Sequence, residues 1–293
     1  MDERIIMIGF DELGNKGWIG NQMFQYASLR GIAANRGYDF CIPPDDNTRL
    51  TNYLLHEVFK LESLKHIGYI GGLYKHPTSD DVCHSTTFNF NQQFFDECPD
   101  NVNICGFFQS EKWFKNIEEC IRKDFTFKDE IIEPCLEMIN EFNNPIFLHV
   151  RRTDYVERSD YHYNLSLKYF EDALNKFDEE ISVLVFSDDI AWCKKQELFK
   201  GDRFNFSETE DRLSMSSFES NQGYREGPLV PYYDLCLMTL CNGAIISNSS
   251  FSWWGAWLQN NSRDIISPDK NKWAGKLNNS NYFDIVPNGW KVL

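Results

Sequence analysis

The chain lacks the features that mark membrane-spanning, secreted and nucleic-acid-binding proteins. Its 293 residues include no run of about 18 apolar residues, which predicts that no segment spans a membrane. The N-terminus carries acidic residues where a signal peptide has basic ones. Basic residues number 29 against 44 acidic ones, and the resulting net charge of −15 repels nucleic-acid backbones. We therefore expect a cytoplasmic protein without a nucleic-acid partner.

The nine cysteines lack the spacing of a metal site or a disulfide framework. No C-x-x-C pair occurs, the count is odd, and the chain is long enough to bury a core without covalent cross-links. This usage predicts buried or free thiols in a reducing compartment. The P-loop pattern G-x-x-x-x-G-K-[ST] is also absent, which argues against a kinase of that type.

The order of apolar segments predicts an α/β protein with parallel sheets. Short strand-like runs alternate with helical periodicity, and 42% hydrophobic residues suffice for a buried core. The Asn-Asn-Pro breaker at residues 143–145 divides the chain into predicted domains 1–145 and 146–293, two Rossmann-like halves with a cleft between them. The predicted strands are residues 5–9, 102–107, 146–150, 183–186, 244–247 and 264–266, and the predicted helices are residues 22–36, 131–142, 167–177, 190–199, 232–241 and 251–258.

Two segments carry less information. Residues 40–95 show no sustained hydrophobic period, so no element is predicted there with a defined boundary. Residues 207–227 are polar and predict a long surface loop.

A glycine-rich turn follows the first predicted strand and leads into the first predicted helix. It reads GWIGNQMFQYA over residues 17–27, and its spacing differs from the dinucleotide fingerprint G-x-G-x-x-G. In open α/β sheets the carboxyl end of a strand faces the ligand crevice, and the next helix N-terminus offers free N–H groups to an anion. The alternative is that the glycines only permit a tight turn. Both interpretations stay open for this segment.

The run HVRRTDY at residues 149–155 follows the strand that opens the second half of the chain. Alternation along the strand places His149 and Arg151 on the same side, so both can point into the cleft. The planar fork of arginine can hold two phosphate oxygens, and Asp154 lies within reach of the same site. The alternative is an ion pair between arginine and aspartate that fixes the loop.

Two adjacent acids, Asp188 and Asp189, follow the predicted strand 183–186 and precede a helix. Consecutive side chains diverge and no third carboxylate or histidine lies nearby in sequence, so a metal site is not predicted. Ser187 or Asp188 is predicted to cap the helix. The functional alternative is a hydrogen bond to a ribose hydroxyl, and we expect one acid to cap the helix while the other binds.

The most unusual run, NSSFSWWGAWL at residues 248–258, stands where a strand meets a helix. Small hydroxyl side chains and free N–H groups converge at such a point, which suits a diphosphate. The tryptophans are predicted to lie mostly in the core. Together, the four segments predict an enzyme that binds a phosphorylated small ligand in a cleft without a metal. A nucleotide-sugar transferase fits this pattern better than a kinase.

These segments, in this order, resemble the α-1,2-fucosyltransferases of glycosyltransferase family eleven, of the bacterial or viral type without a membrane anchor. The similar runs extend from about residue 15 to residue 273 and include GNQMFQYA, GFFQSEKWF, HVRRTDY, FSDD and NSSFSWWGAWL. The resemblance implies a GT-B architecture, GDP-β-L-fucose as donor, a glycan with a terminal galactose as acceptor, inversion at the anomeric carbon, and no metal or other cofactor. The chain departs from the family pattern over residues 11–19, ahead of GNQ.

The resemblance also implies roles for individual residues. Arg151 meets the negative charge that grows on the departing GDP, with help from Ser249, Ser250 and the start of the following helix. Asp154 is the first candidate for the base that takes the proton from the acceptor hydroxyl, and Glu157 is the second. The residues implied to bind GDP-fucose are Asn21, Gln22, His149, Arg151, Arg152, Asp188, Asp189, Asp234, Asn248, Ser249, Ser250, Phe251 and Ser252.

Similarity to the α-1,6-fucosyltransferases divides these roles further. It assigns the guanine edge to His149 and Asp234, and the ribose to Asp188 or Asp189. Arg152 has an alternative role, in which it holds Asp154 or the loop in place.

Other interpretations stay open. Asn21 and Gln22 are implied to line the cleft from the first domain, and residues 207–227 are a candidate acceptor lid. A related GDP-sugar transferase with another donor or linkage would carry the same motifs. A non-catalytic glycan-binding module would suit the high tryptophan and tyrosine content.

Overall fold

The computed structural model describes residues 6–15, 17–45, 53–71, 88–207, 230–260, 264–278 and 281–293. Its strands form two parallel sheets, one of three strands and one of six, which confirms the predicted α/β class. The chain divides into two compact units, Met1–Lys128 with Ser280–Pro287 and Asp129–Asn279 with Asn288–Leu293. Apart from Ser207, the predicted loop at residues 207–227 lies outside the described residues. Among the residues that the structure describes, no helix is long and apolar enough to cross a membrane.

The three-stranded sheet of the first unit is built around one βαβ step. Strand β1 (Met7–Gly9) pairs in parallel with β2 (Asp39–Ile42), and helix α1 (Ile19–Arg36) joins them. The apolar stripe of α1 is buried, and Gly37 ends the helix in the left-handed conformation that suits glycine. The remaining elements of this unit are β3 (His66–Ile67), α2 (Leu55–Val58), α3 (Gln92–Glu97) and α4 (Glu118–Asp124).

One predicted strand of the first unit is wrong. Residues 102–107 form no strand, and only Asn103 makes an isolated bridge, with Gly9. Gly106 and Phe108 have positive φ angles of 152° and 50°, so the chain bends away from extended geometry after the bridge. The apolar run in this segment therefore serves the core without forming a ladder.

The six-stranded sheet of the second unit has the doubly wound order. Its strands are β4 (Ile146–Val150), β5 (Val183–Ser187), β6 (Phe204–Phe206), β7 (Ala244–Ile245), β8 (Ile265–Ser267) and β9 (Lys291–Val292). They lie in the order β6-β5-β4-β7-β8-β9, all parallel. The chain builds outward from β4 to β6 and then returns to the other side of β4. The point of reversal lies between β4 and β7, where such sheets bind ligands.

Six helices complete the described part of the second unit: α5 (Asp129–Ile139), α6 (Thr153–Glu157), α7 (Leu167–Leu174), α8 (Ile190–Cys193), α9 (Val230–Leu240) and α10 (Ser250–Trp257). Helix α5 precedes the breaker at residue 145 but packs against α9, where Tyr233 donates a hydrogen bond to the Glu130 carbonyl at 3.3 Å. The compact units therefore divide at Lys128, ahead of the predicted boundary at residue 145. The division into an acceptor-side and a donor-side domain stays a prediction.

Helix α10 packs closely against α9, and Gly255 is the residue that permits this. A Cβ atom at Gly255 would lie 2.7 Å from the Cβ of Met238 on α9. Trp253, Trp254 and Trp257 on α10 are buried, as the sequence predicts. The tryptophan-rich helix is thus a core element that fixes the position of the polar turn before it.

The cysteines only partly follow the expectation of free thiols. Cys41, Cys98, Cys120, Cys135, Cys193, Cys236 and Cys241 are free. Cys105 is disulfide-bonded, so the expectation is wrong for that residue. Cys83 lies outside the described residues.

Candidate active site

Polar side chains follow β4, β5 and β7, three neighbouring strands at the centre of the six-stranded sheet. Val150 at the end of β4 is paired with Ser187 at the end of β5, and Leu148 with Ile245 of β7. Because the strands are parallel, the turns after them open at one edge of the sheet. The three motifs predicted from the second half of the sequence therefore meet at this edge.

Arg151 lies at the centre of this group. Its guanidinium forms ion pairs with Asp154 at 2.7 Å and with Asp188 at 3.2 Å, and it lies 5.5 Å from the ring centre of Tyr155. Burial lowers the pKa of Arg151, but Asp188 and Asp154 raise it by more, so its pKa is above the ordinary value. The cation is permanent, and the ion pair with Asp154 that the sequence left as an alternative is present.

Asp188 holds the turn between β4 and α6. Its Oδ1 accepts a hydrogen bond from the Arg152 N–H at 2.8 Å, and its Oδ2 accepts one from the Thr153 N–H at 3.1 Å. The Thr153 hydroxyl also donates to Oδ2. This carboxylate satisfies two backbone donors that the short helix α6 leaves free.

Asp189, and not Ser187 or Asp188, caps helix α8. Its Oδ1 accepts the Trp192 N–H at 3.0 Å, while Ser187 accepts the N–H of Asp189 itself at 2.9 Å. The main chain explains the difference: β5 continues through Ser187 and α8 begins at Ile190, so the residue directly before the helix is Asp189. The other oxygen of Asp189 lies 3.3 Å from Arg152, whose guanidinium stacks on Trp192 at 3.8 Å from the ring centre. Arg152 thus holds the β5 turn and is not the partner of Asp154.

His149 is buried at the end of β4, with 5% of its surface exposed. Its Nδ1 lies 2.7 Å from the hydroxyl of Ser247, which follows β7, and its ring centre lies 5.8 Å from that of Phe251. Ser252 is also buried, 3.5 Å from the Ser247 hydroxyl. The hydrogen bond to Ser247 joins the two strands between which the sheet order reverses.

Helix α10 begins at the same edge. Ser249 is its N-cap and accepts the N–H of Phe251 at 3.4 Å. Ser250 and Phe251 are half-buried in the first turn. The cap bond is long, and the remaining N–H groups of this turn form the kind of site that binds anions.

Asn248 braces the loops around the edge. Its side-chain amide donates to the carbonyls of Tyr163 and Lys272, each at 2.9 Å, and its own carbonyl accepts the Tyr155 hydroxyl at 2.9 Å. Tyr155 also stacks on His162, with ring centres 4.0 Å apart. The sequence did not predict these bracing contacts, because they join residues that are far apart along the chain.

Two predicted residues lie toward the margin of this group. Glu157 ends helix α6 and is exposed. Asp234 on α9 accepts a hydrogen bond from Ser207 at 2.6 Å, and Ser207 follows β6 near the edge of the sheet.

Asn21 and Gln22 belong to the first unit. Gln22 is fully buried, donates to the Gly17 carbonyl at 3.4 Å and accepts the Leu54 N–H at 2.9 Å. Asn21 accepts a hydrogen bond from Gln109 at 2.6 Å. Gly17 has a φ of 83°, and a Cβ there would lie 2.1 Å from the Asn21 side chain, so a turn with glycine is required at this point.

Within the described ranges, no group of three or more histidine, cysteine, aspartate or glutamate side chains could hold a metal ion. Metal independence nevertheless stays a prediction.

Comparison with known proteins agrees with the motifs. A model of the family described as Glycosyl transferase family 11 matches residues 8–284. The alpha-1,2-colitosyltransferase of Escherichia coli is 28% identical over 94% of this chain and 95% of its own length. Galactoside alpha-(1,2)-fucosyltransferase 1 of Homo sapiens is 23% identical over 83% of this chain. The match covers 63% of that protein, so the chain spans less than two thirds of this relative.

Solved structures share the fold. The alpha-1,6-fucosyltransferase NodZ, whose crystals were soaked with GDP-fucose, superposes with a TM-score of 0.57 at 14% identity, over 92% of this chain and 97% of NodZ. A FUT1 mutant from Arabidopsis thaliana in complex with GDP gives a TM-score of 0.51 at 10% identity, over 91% of this chain and 71% of that one. At these identities the similarity concerns the fold alone.

Proposed function

Because the chain belongs to glycosyltransferase family 11, we propose that this glycosyltransferase moves L-fucose from GDP-β-L-fucose to a hydroxyl of a galactoside-containing glycan. The transfer inverts the anomeric carbon and forms an α-1,2 linkage. The family membership and the relatives named above support the proposal. The alternative of a non-catalytic glycan-binding module is set aside, because the family consists of enzymes.

One observation carries the proposal: a permanent cation and the start of α10 meet where the order of the sheet reverses. Arg151 follows β4, and Ser249 and Ser250 open the helix after β7. A guanidinium fork and helix N–H groups are the donors that a diphosphate needs. We propose that the diphosphate of GDP-fucose binds at this edge, with the donor in the position where doubly wound sheets hold nucleotides.

The reaction needs this cation most in the transition state. The acceptor oxygen forms a bond to the anomeric carbon while the bond from that carbon to the β-phosphate oxygen breaks, and the electron pair leaves with GDP. The sugar becomes oxocarbenium-like, and negative charge grows on the diphosphate. Arg151 stabilises that charge without the help of a metal. The acceptor proton goes to a base, for which we propose Asp154 first and Glu157 second.

The donor-binding roles of the other residues remain proposals. We assign the guanine edge to His149 and Asp234 and the ribose to one acid of the pair after β5. The diphosphate turn comprises Asn248, Ser249, Ser250, Phe251 and Ser252, with Arg152 beside it. Asn21 and Gln22 are assigned to the side of the acceptor, in a GT-B arrangement of domains 1–145 and 146–293 across a cleft. The likeness of the fold to NodZ supports the GT-B class. The two compact units support a chain of two domains, although they divide at Lys128 and not at residue 145.

A second candidate keeps the linkage and changes the sugar. The Escherichia coli relative, which covers 94% of this chain, is named for the transfer of colitose rather than fucose. A competition among GDP-fucose, GDP-colitose and GDP-mannose for one acceptor discriminates between the candidates. Preference for GDP-colitose would establish the second candidate in place of the first.

The experiment for the main proposal is GDP release from GDP-fucose with lactose and other galactosides, with and without EDTA. We expect acceptor-dependent release that EDTA leaves unchanged. Release with none of the galactosides would contradict the proposed acceptor class. Loss of release in EDTA would contradict metal independence while leaving the transfer itself in place.

A further inference from the structure

Asp188 contacts four polar donors at the edge of the sheet after β4, β5 and β7. It accepts two backbone N–H groups, from Arg152 and Thr153, at 2.8 and 3.1 Å. The Thr153 hydroxyl donates to it, and Arg151 lies 3.2 Å from its Oδ2. The side chain is 17% exposed. It belongs to the turn after β5 and holds the turn after β4.

These contacts use most of the acceptor capacity of the carboxylate. An ionised carboxylate has about four lone-pair positions; three donors contact Oδ2 of Asp188, and one, the Arg152 N–H, contacts Oδ1. One position on Oδ1 is therefore left for a ribose hydroxyl. Asp189 has more room, because within the described part of the chain each of its oxygens accepts one donor, the Trp192 N–H and Arg152. If one acid of this pair binds the ribose, its contacts favour Asp189.

The contacts of Asp188 also determine where Arg151 lies. The guanidinium is held between two carboxylates, Asp154 from its own turn and Asp188 from the neighbouring one. Arginine has a long side chain whose rotamer freedom is lost on binding, and prior fixation reduces that cost. Asp154 alone would attach the arginine only to helix α6, which directly follows it in the chain.

We propose that Asp188 is a positioning residue, which holds Arg151 and the turn after β4 ready for the diphosphate, and not a ligand of the ribose. This inference rests on the proposed function, since it concerns the same donor site. It reassigns a residue that the sequence placed in contact with the nucleotide.

The test is calorimetry on Asp188→Asn with three probes: GDP, 2′,3′-dideoxy-GDP and guanosine. The substitution keeps the shape of the side chain and removes its charge. Asp264→Asn is the matched control, because Asp264 forms a surface ion pair with Lys291 away from the edge after β4, β5 and β7. We expect Asp188→Asn to lower the affinities for GDP and dideoxy-GDP by the same factor, about tenfold or more. The affinity for guanosine should not change. Asp264→Asn is expected to bind all three probes normally.

Each other pattern contradicts the inference. A loss of affinity for GDP but not for dideoxy-GDP would make Asp188 a ribose ligand. An equal loss for guanosine would indicate general disruption of the nucleotide site. If GDP binding is unchanged, Asp188 has no role in the donor site. If the wild-type protein does not bind GDP at all, the proposed function is contradicted. The wild-type titration therefore separates failure of the proposed function from failure of the inference about Asp188.

Thr153→Val provides a second variant in case Asp188→Asn fails to fold. It removes one donor to Asp188 while the carboxylate and both backbone contacts remain. We expect a smaller loss of GDP affinity than in Asp188→Asn, again without effect on guanosine. Unchanged GDP affinity in a folded Thr153→Val protein would contradict the role of this network in positioning.

Discussion

Arg151 is the residue on which the proposed chemistry depends most. Replacing it with alanine removes the permanent cation beside the departing diphosphate, and we expect kcat/KM to fall about 100- to 1000-fold. Arg151→Lys should recover little, because a lysine ammonium does not form the bidentate fork. Steady-state GDP release measures both variants. Arg203→Ala is the control, since that arginine donates to backbone carbonyls at residues 178 and 179. Near-normal turnover of Arg151→Ala would move the role to Arg152.

The base is tested by a pair of substitutions on α6. Asp154→Asn should lower kcat about 100- to 10,000-fold if this carboxylate takes the proton. Glu157→Gln, at the exposed end of the helix, should change kcat by only a few fold. The ion pair between Asp154 and Arg151 adds a second readout: donor KM should change in Asp154→Asn but not in Glu157→Gln. The reverse order of effects on kcat would assign the base to Glu157.

At the residue scale, the sequence indicates where the site lies better than it indicates what each side chain does. His149 lies near the end of β4, and Arg151 and Asp188 directly follow β4 and β5; strand ends are visible in the hydrophobic pattern. Whether Asp188 or Asp189 caps α8 depends on how far β5 extends and on contacts from a different turn. Those contacts are tertiary, so local pattern cannot assign them.

The packing of α9 on α10 makes Gly255 the most constrained position at the scale of elements. Alanine gains about 1 kcal/mol of helix propensity over glycine, but here its methyl group would overlap the Cβ of Met238, whose position is fixed by the main chain. Overpacking of this kind costs about 1–3 kcal/mol, so we expect Gly255→Ala to lower the free energy of unfolding. Thermal denaturation measures it. Gly68→Ala is the control, because open space surrounds Gly68; equal stability of the two variants would contradict this packing argument.

The sequence predicts the bounds of long, buried elements better than those of short or exposed ones. Strand β4 matches the prediction at both ends, and β5 is longer by one residue, because each consists of five buried residues of which four are apolar. The two-residue strands β3 and β9 have no period to detect. Helix α8 ends at Cys193, whereas the predicted helix extends to residue 199. Residues Glu197–Phe199 form a separate 3-10 turn. The polar residues 194–197, KKQE, separate the apolar residues of the two pieces, and the helix breaks within this gap.

At the scale of the whole molecule, acid should destabilise the fold through two partly buried histidines, His162 and His56. Burial lowers the pKa of His162, and Arg158 and Arg151 lower it further against the opposing effect of Asp154. Burial also lowers the pKa of His56 in the first unit. The unfolded chain then binds more protons near pH 6.5, so stability is complete above that pH and falls as pH decreases toward the folded-state pKa values.

The measurement is the midpoint of thermal unfolding between pH 8 and pH 5. We expect a decrease below pH 6.5 and a shallower decrease in His162→Gln, whose side chain does not titrate. An identical pH slope in the wild-type protein and His162→Gln would contradict the assignment of this effect to His162. The slope is the quantity to compare, because the substitution also removes the stacking of His162 on Tyr155.

Net charge illustrates how a property of the whole chain can conceal a local site. A net charge of −15 argues against a phosphate ligand. Arg151 and Arg152 nevertheless follow β4 in the sequence, at the point where the order of the strands in the sheet reverses. Solvent screens the field of distant acidic residues over about 10 Å, so a small ligand at this edge responds mainly to the groups a few ångströms away. The charge excludes a long polyanion and permits a single diphosphate.

The most direct test of the central claim is linkage analysis of the product formed from GDP-fucose and lactose. Nuclear magnetic resonance of the purified trisaccharide identifies both the anomeric configuration and the galactose hydroxyl that is substituted. The account predicts one α-fucosyl residue on the 2-hydroxyl of galactose, formed in equal amount with GDP. A β-anomer, a different substituted hydroxyl, or GDP released without a fucosylated product would contradict it.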